Sequence, residues 1–173
     1  VDTLVIGAEE ADRAFIYELN NGAWQLTNTF SASGDFGSAV AVDGDTVAIG
    51  APTGETVYVY TDTNSSWSLQ NTLTASDGAI GDEFGHALDI SGEWLVIGAP
   101  GDDSDVGSAY TFEFDGSDNW NETTKLQLEM GNTDDYFGHD VTIDGERIVV
   151  GAYGRDRVIT DPQTNEEIIL DSV

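Results

Sequence analysis

Three carboxylates fall within four residues in the stretch Gly101-Asp102-Asp103-Ser104-Asp105. Ca2+ takes about 6–8 oxygen ligands, and Asp102, Asp103 and Asp105, with backbone carbonyls and water, are of the type to supply them. The plain alternative is a polar, solvated loop. Asp82-Glu83 and Asp134-Asp135 stand just before two Phe-Gly pairs. They either join a shared cation site or cap the loop they sit in, and capping is the simpler reading. His86 and His139 each follow a Phe-Gly pair directly, and Ser38 follows another. Proton transfer by either imidazole needs a carboxylate partner and a substrate pocket. A catalytic residue need occur only once, so a repeated histidine reads as structural.

No Gly-x-Ser-x-Gly elbow, phosphate-binding loop or His-Glu-x-x-His motif occurs in the chain. Nothing singles out a carboxylate pair for glycoside hydrolysis. No catalytic residue is assigned, and no cofactor beyond a Ca2+ ion. Asn64-Ser65-Ser66 and Asn121-Glu122-Thr123 are N-glycosylation sequons, both near a strand-to-strand turn.

These residues sit in a very acidic chain. Its 173 residues carry five Lys plus Arg against 33 Asp plus Glu, for a net charge of −28. Lys125 is the one lysine. Such a surface repels nucleic acid phosphates and anionic membrane surfaces. It also repels itself when compact, and added salt or bound divalent cations relieve that strain. The composition suits salty or calcium-rich surroundings, or is simply a soluble surface. Four Trp, six Tyr and seven Phe, set in patterned apolar segments, argue against disorder. There is no cysteine, hence no disulfide and no thiolate metal site. No stretch approaches the roughly 18 apolar residues of a membrane-spanning helix, and no leader peptide is visible.

What positions the candidate residues is a repeat. Phe-Gly occurs at 36–37, 84–85 and 137–138, and Gly-Ala at 50–51, 98–99 and 151–152. Each Phe precedes its Gly-Ala glycine by 14 residues. Trp24, Trp67 and Trp120 recur in phase, and Gly7-Ala8 is a first Gly-Ala without its Phe-Gly. Successive Phe-Gly marks lie 48 and 53 residues apart, a period typical of propellers and related arrays. Each full repeat reads as four strands: 36–42, 46–51, 55–61 and 67–75, then 84–90, 94–99, 107–114 and 120–128. Residues 137–143 and 147–152 begin another. Asp43-Gly44-Asp45 and its counterparts are tight hairpin turns. The first two strands lack in/out alternation: Val40 and Val42 face one way, Ala39 and Ala41 the other, and both sets read as buried. Strands covered on both faces look like this. Gly37, Ala39, Gly50 and Ala51 are small, which suits crowding near a central axis. Helical periodicity is absent. The expected fold class is all-β: four-stranded antiparallel meanders packed side by side as β-propeller blades.

The segments FGSAVAVDGDTVAIGAP and FGHALDISGEWLVIGAP resemble the FG-GAP repeat, the blade of integrin α-subunit propellers and of many microbial and algal surface proteins. The resemblance covers residues 1–153, with a departure at Gly151-Ala152-Tyr153. It implies a non-catalytic, extracellular or cell-surface recognition or adhesion scaffold, with a protein or polysaccharide ligand held by blade loops. The alternatives are an accessory propeller of a larger secreted hydrolase and a structural surface-layer component. Integrin-type blades hold Ca2+ between their first two strands. The turn at Asp43-Gly44-Asp45 is too short to wrap an ion, so that site is not carried over. The expected division is a partial blade at 1–31, blades at 32–75 and 76–128, and a partial blade at 129–173. Within the last, VITDPQTNEEIIL is expected to form a hairpin turning near Asp161-Pro162. About three and a half blades do not close a ring of 4–8, so an incomplete propeller is expected.

Overall fold

A computed structural model describes residues 2–154 and the strand backbone at 157–160 and 167–170. Four antiparallel sheets follow one another along the chain. The first contains β1 (Thr3–Ala8), β2 (Arg13–Asn20) and β3 (Ala23–Ser31). The second is β4 (Val40–Asp43), β5 (Thr46–Ala51), β6 (Thr56–Asp62) and β7 (Trp67–Leu73). The third is β8 (Ala87–Ser91), β9 (Trp94–Ala99), β10 (Ser108–Phe114) and β11 (Trp120–Leu126). The fourth is β12 (Phe137–Asp144) paired with β13 (Arg147–Ala152). Strand order within each sheet is sequential, as in a meander. Strand β14 (Arg157–Thr160) pairs with β15 (Glu167–Leu170) as a separate hairpin. Its expected turn near Asp161-Pro162 lies outside the described residues.

Strands β5 and β9 show why the sheets stand side by side. Along β5, Val47 and Ile49 pack with Ala14 and Ile16 of the first sheet. Ala48 points the other way and packs with Leu95 and Ile97 of the third. All three β5 side chains are fully buried. On β9, Leu95 and Ile97 face the second sheet, whereas Val96 packs with Ile143 of the fourth. Apolar surface on both faces has no other way to leave water, and each buried Val, Leu or Ile contributes about 1.5–3 kcal/mol. The inner strands β4, β8 and β12 touch in that order along the axis.

Phe36 and Phe84 of the Phe-Gly pairs anchor the second and third blades on their own third strands. Phe36 meets Tyr58 edge-on at 5.3 Å, and Phe84 meets Tyr110 at 5.5 Å. The structure corrects two readings of the inner strands. Strands β4 and β8 begin at Val40 and Ala87, after a turn in which Gly37 and Gly85 take φ of +96° and +97°, whereas β12 does begin at Phe137. Val42 sits at the hairpin end and is exposed rather than buried. Trp67 and Trp120 are buried between blades, whereas Trp24 on the first sheet is 47% exposed.

The crowding that demands glycine lies between blades. A Cβ on Gly50 would collide with the carbonyl oxygen of Gly85 in the next blade. Gly7 meets Gly37, and Gly98 meets Gly138, in the same way. The glycine of each Gly-Ala therefore receives the Phe-Gly turn of its successor.

Candidate functional site

The connections from second to third strand all lie at the same end as the blade-to-blade loops, and they bond to them. Asp12 and Glu55 each fall five residues after a Gly-Ala glycine, in left-handed conformation. The Asp12 carboxylate accepts the Phe36 N–H at 3.2 Å. The Glu55 carboxylate accepts the N–H groups of Gly81, Glu83 and Phe84 at 2.8, 3.2 and 2.8 Å. In the third blade the connection is longer and its backbone does the same work. The Asp105 and Val106 carbonyls accept the Tyr136 and Phe137 N–H groups at 2.9 and 3.0 Å. These clasps were missed in the sequence, although the shared position of Asp12 and Glu55 was a legible signal.

The loop carrying Asp102, Asp103 and Asp105 forms one helical turn whose Asp103 and Ser104 are left-handed. Among the described residues, no group of three or more His, Asp or Glu is arranged to hold a metal ion. Lys125 reaches into the loop instead. Its Nζ lies 2.6 Å from Asp102 Oδ2, 2.8 Å from Asp77 Oδ2 and 3.8 Å from Asp103 Oδ2. The Tyr110 hydroxyl donates to Asp77 at 2.9 Å and lies 3.4 Å from Asp102. The lone lysine thus stands where sequence reasoning placed Ca2+, and it ties the second blade's exit loop to the third blade. Burial works against the Lys125 charge, but Asp102 and Asp77 outweigh it and raise its pKa. Lys125 holds the Asp77 carboxyl below the usual carboxylate range. Burial first, then the neighbouring carboxylates, push the Tyr110 phenol up.

Asp82 and Asp135 are buried loop caps. Asp82 Oδ2 accepts the Ala79 N–H at 2.7 Å, and Asp135 Oδ2 accepts the Asn132 N–H at 2.8 Å. Burial raises the Asp82 pKa against that bond. Asn64 and Asn121, the sequon asparagines, are both exposed.

His86 and His139 come together where the inner strands meet. Their ring centres are 4.7 Å apart, tilted by 49°. His86 Nδ1 lies 3.3 Å from Glu83 Oε2, and His139 Nδ1 lies 3.8 Å from Asp140 Oδ2. They border a shallow opening of about 310 Å³ between the first strands of three blades, together with Ser38 and Asp140. A neighbouring cleft of about 360 Å³ shares Ser38 and His86 and adds Glu9, Asp35 and Glu83.

Sequential four-stranded meanders, packed face to face around shared inner strands, define an arc of β-propeller blades. The FG-GAP repeat family model matches residues 67–112 and 120–165, more than half of the sequence, and the chain belongs to the FG-GAP repeat family. Each match begins at a buried tryptophan on an outer strand, and the first runs on to the third strand of the next blade. The sequence repeat therefore straddles a blade boundary. No curated protein matches the chain. Among solved structures, it is similar to a functionally unknown protein from Desulfotomaculum acetoxidans, with TM-score 0.64, 11% identity, and coverage of 99% of this chain and 50% of the other. A protein from Lactobacillus plantarum is similar with TM-score 0.60, 15% identity, and coverage of 95% and 52%. The chain spans about half the length of these structures, and at such identity the likeness shows the fold alone.

Proposed function

We propose that the chain is a non-catalytic recognition scaffold, extracellular or at the cell surface, whose loops hold a protein or polysaccharide ligand. One observation carries the reading: a rigid, repeated frame bears unequal loops at a single end. The connections at Glu9–Ala11 and Pro52–Gly54 are three-residue 3₁₀ turns, whereas residues 100–107 form a longer loop at the equivalent place. Binding residues collect on loops that a rigid scaffold positions. FG-GAP repeats are typical of extracellular proteins, which supports the location. Among the described residues no helix is long and apolar enough to cross a membrane.

The test replaces residues 101–106 by the short turn of the second blade. Binding to a panel of purified polysaccharides and proteins is then compared by biolayer interferometry. A ligand of the parent chain should lose at least about tenfold in affinity, or 1.4 kcal/mol, at a temperature where the short-loop form, less stable without Asp102 and the Asp105 and Val106 clasps, is still folded. Equal binding by the short-loop form, or turnover of glycosidic or ester substrates by the parent chain, would overturn the reading.

A further inference from the structure

We infer that His86 and His139 form a two-imidazole site for a borderline divalent metal ion, of the Zn2+, Ni2+ or Cu2+ class, at the axial opening. The inference is independent of the recognition reading. It starts from the spacing of the rings. Metal–imidazole bonds of about 2.0–2.1 Å in tetrahedral geometry put two ring centres roughly 5 Å apart. The observed separation is 4.7 Å, in a tilted rather than stacked arrangement.

The Glu83 carboxylate makes a second, separate argument. His86 Nδ1 lies 3.3 Å from Glu83, whereas His139 Nδ1 is 3.8 Å from Asp140, beyond hydrogen-bond reach. A carboxylate beside Nδ1 of His86 favours the proton on that nitrogen and leaves Nε2 with its lone pair. This is the outer arrangement that orients metal-ligating histidines. Neither Nε2 has a hydrogen-bond partner among the described residues. Ser38 Oγ borders the same opening, is shielded from solvent, and has no hydrogen-bond partner among the described residues. Two imidazoles with water completing the shell suit a borderline ion, whereas Ca2+ and Mg2+ prefer all-oxygen shells. The net charge of −28 raises the local concentration of any cation.

The site is built across blades, since His86 immediately precedes β8 and His139 lies near the start of β12 in the next blade. The repeat thus supplies one imidazole per blade at an equivalent position, and packing brings the two together.

The test is a calorimetric titration of the 173-residue chain with Zn2+ in a large excess of Ca2+, which occupies nonspecific carboxylate sites. One equivalent should bind. The double substitution His86→Asn with His139→Asn should weaken binding at least about tenfold, and Glu83→Gln by about tenfold through loss of the orienting carboxylate. The Cu2+-loaded chain should show nitrogen hyperfine coupling from two imidazoles in its electron paramagnetic resonance spectrum. Zn2+ that fails to bind beside Ca2+, or binds the double variant equally well, overturns the inference. Should the double variant not fold, the Glu83→Gln titration and the Cu2+ spectrum decide: unchanged affinity or an all-oxygen spectrum overturns it.

Discussion

The side-chain oxygen of Gln70 accepts the indole N–H of Trp120 at 3.2 Å, across the boundary between the second and third blades. Gln70 is the extra residue of a bulge in β7, where the register shifts between Val59 and Tyr60. The first blade has the same bulge, at Thr27. Its side chain is too short to reach the next tryptophan, and the buried Trp67 Nε1 has no hydrogen-bond partner among the described residues. A buried unmade hydrogen bond costs about 1–3 kcal/mol. Thr27→Gln should therefore stabilise the chain by about 1 kcal/mol, read as a higher urea midpoint at unchanged slope. A midpoint that falls would show that the two bulges are not equivalent.

Gly50 must stay glycine because the Gly85 carbonyl occupies the place of its side chain. Backbone on both sides leaves little to yield, so Gly50→Ala should cost about 3 kcal/mol or more. Gly54 is the control: a Cβ there meets only ordinary contacts, the nearest at 3.6 Å. Gly54→Ala should be neutral or slightly stabilising. Comparable losses for the two in thermal unfolding would refute the close-approach argument.

Lys125→Met should leave Asp102 buried beside Asp77 without a counter-charge. Breaking such a pair costs about 3–5 kcal/mol. Adding Asp102→Asn should recover much of the loss, since the stranded charge is then gone. The pH dependence follows from Asp77, whose folded pKa is depressed chiefly by Lys125. That contribution is fully present above the unfolded carboxylate pKa, near 3.9. It is lost as pH falls through the lower folded value. Stability measured between pH 2 and pH 6 should show this acid limb in the parent chain and a shallower one in Lys125→Met.

Glu55→Gln replaces one acceptor oxygen by an N–H2 group facing backbone donors. The clasp on the third blade's entry loop should weaken by about 1–3 kcal/mol. Hydrogen exchange is the informative measurement: the amides of Gly81, Glu83 and Phe84 should speed up more than those of β5 and β9. Uniform acceleration would mean the loop opens only with the whole molecule.

Spacing and residue type alone determined the four-stranded antiparallel sheets, their strand order and the double-sided burial of strands such as β5. Those features are local or repeated: a hairpin turn, a 14-residue interval and an apolar run each carry their own signal. The sequence also marked out His86, His139 and the acidic 101–105 stretch as candidates. What Lys125 does there depended on tertiary structure, because Asp77 lies 48 positions away and the loop could have met an ion or a lysine equally well. The pairing of the two histidines, 53 positions apart, was likewise decided by how one sheet leans on the next. So was the need for glycine at position 50, which arises from a neighbour's carbonyl and not from any turn of its own. Side chains in contact across blades are set by rigid-body packing, and packing leaves no trace in the spacing of either partner.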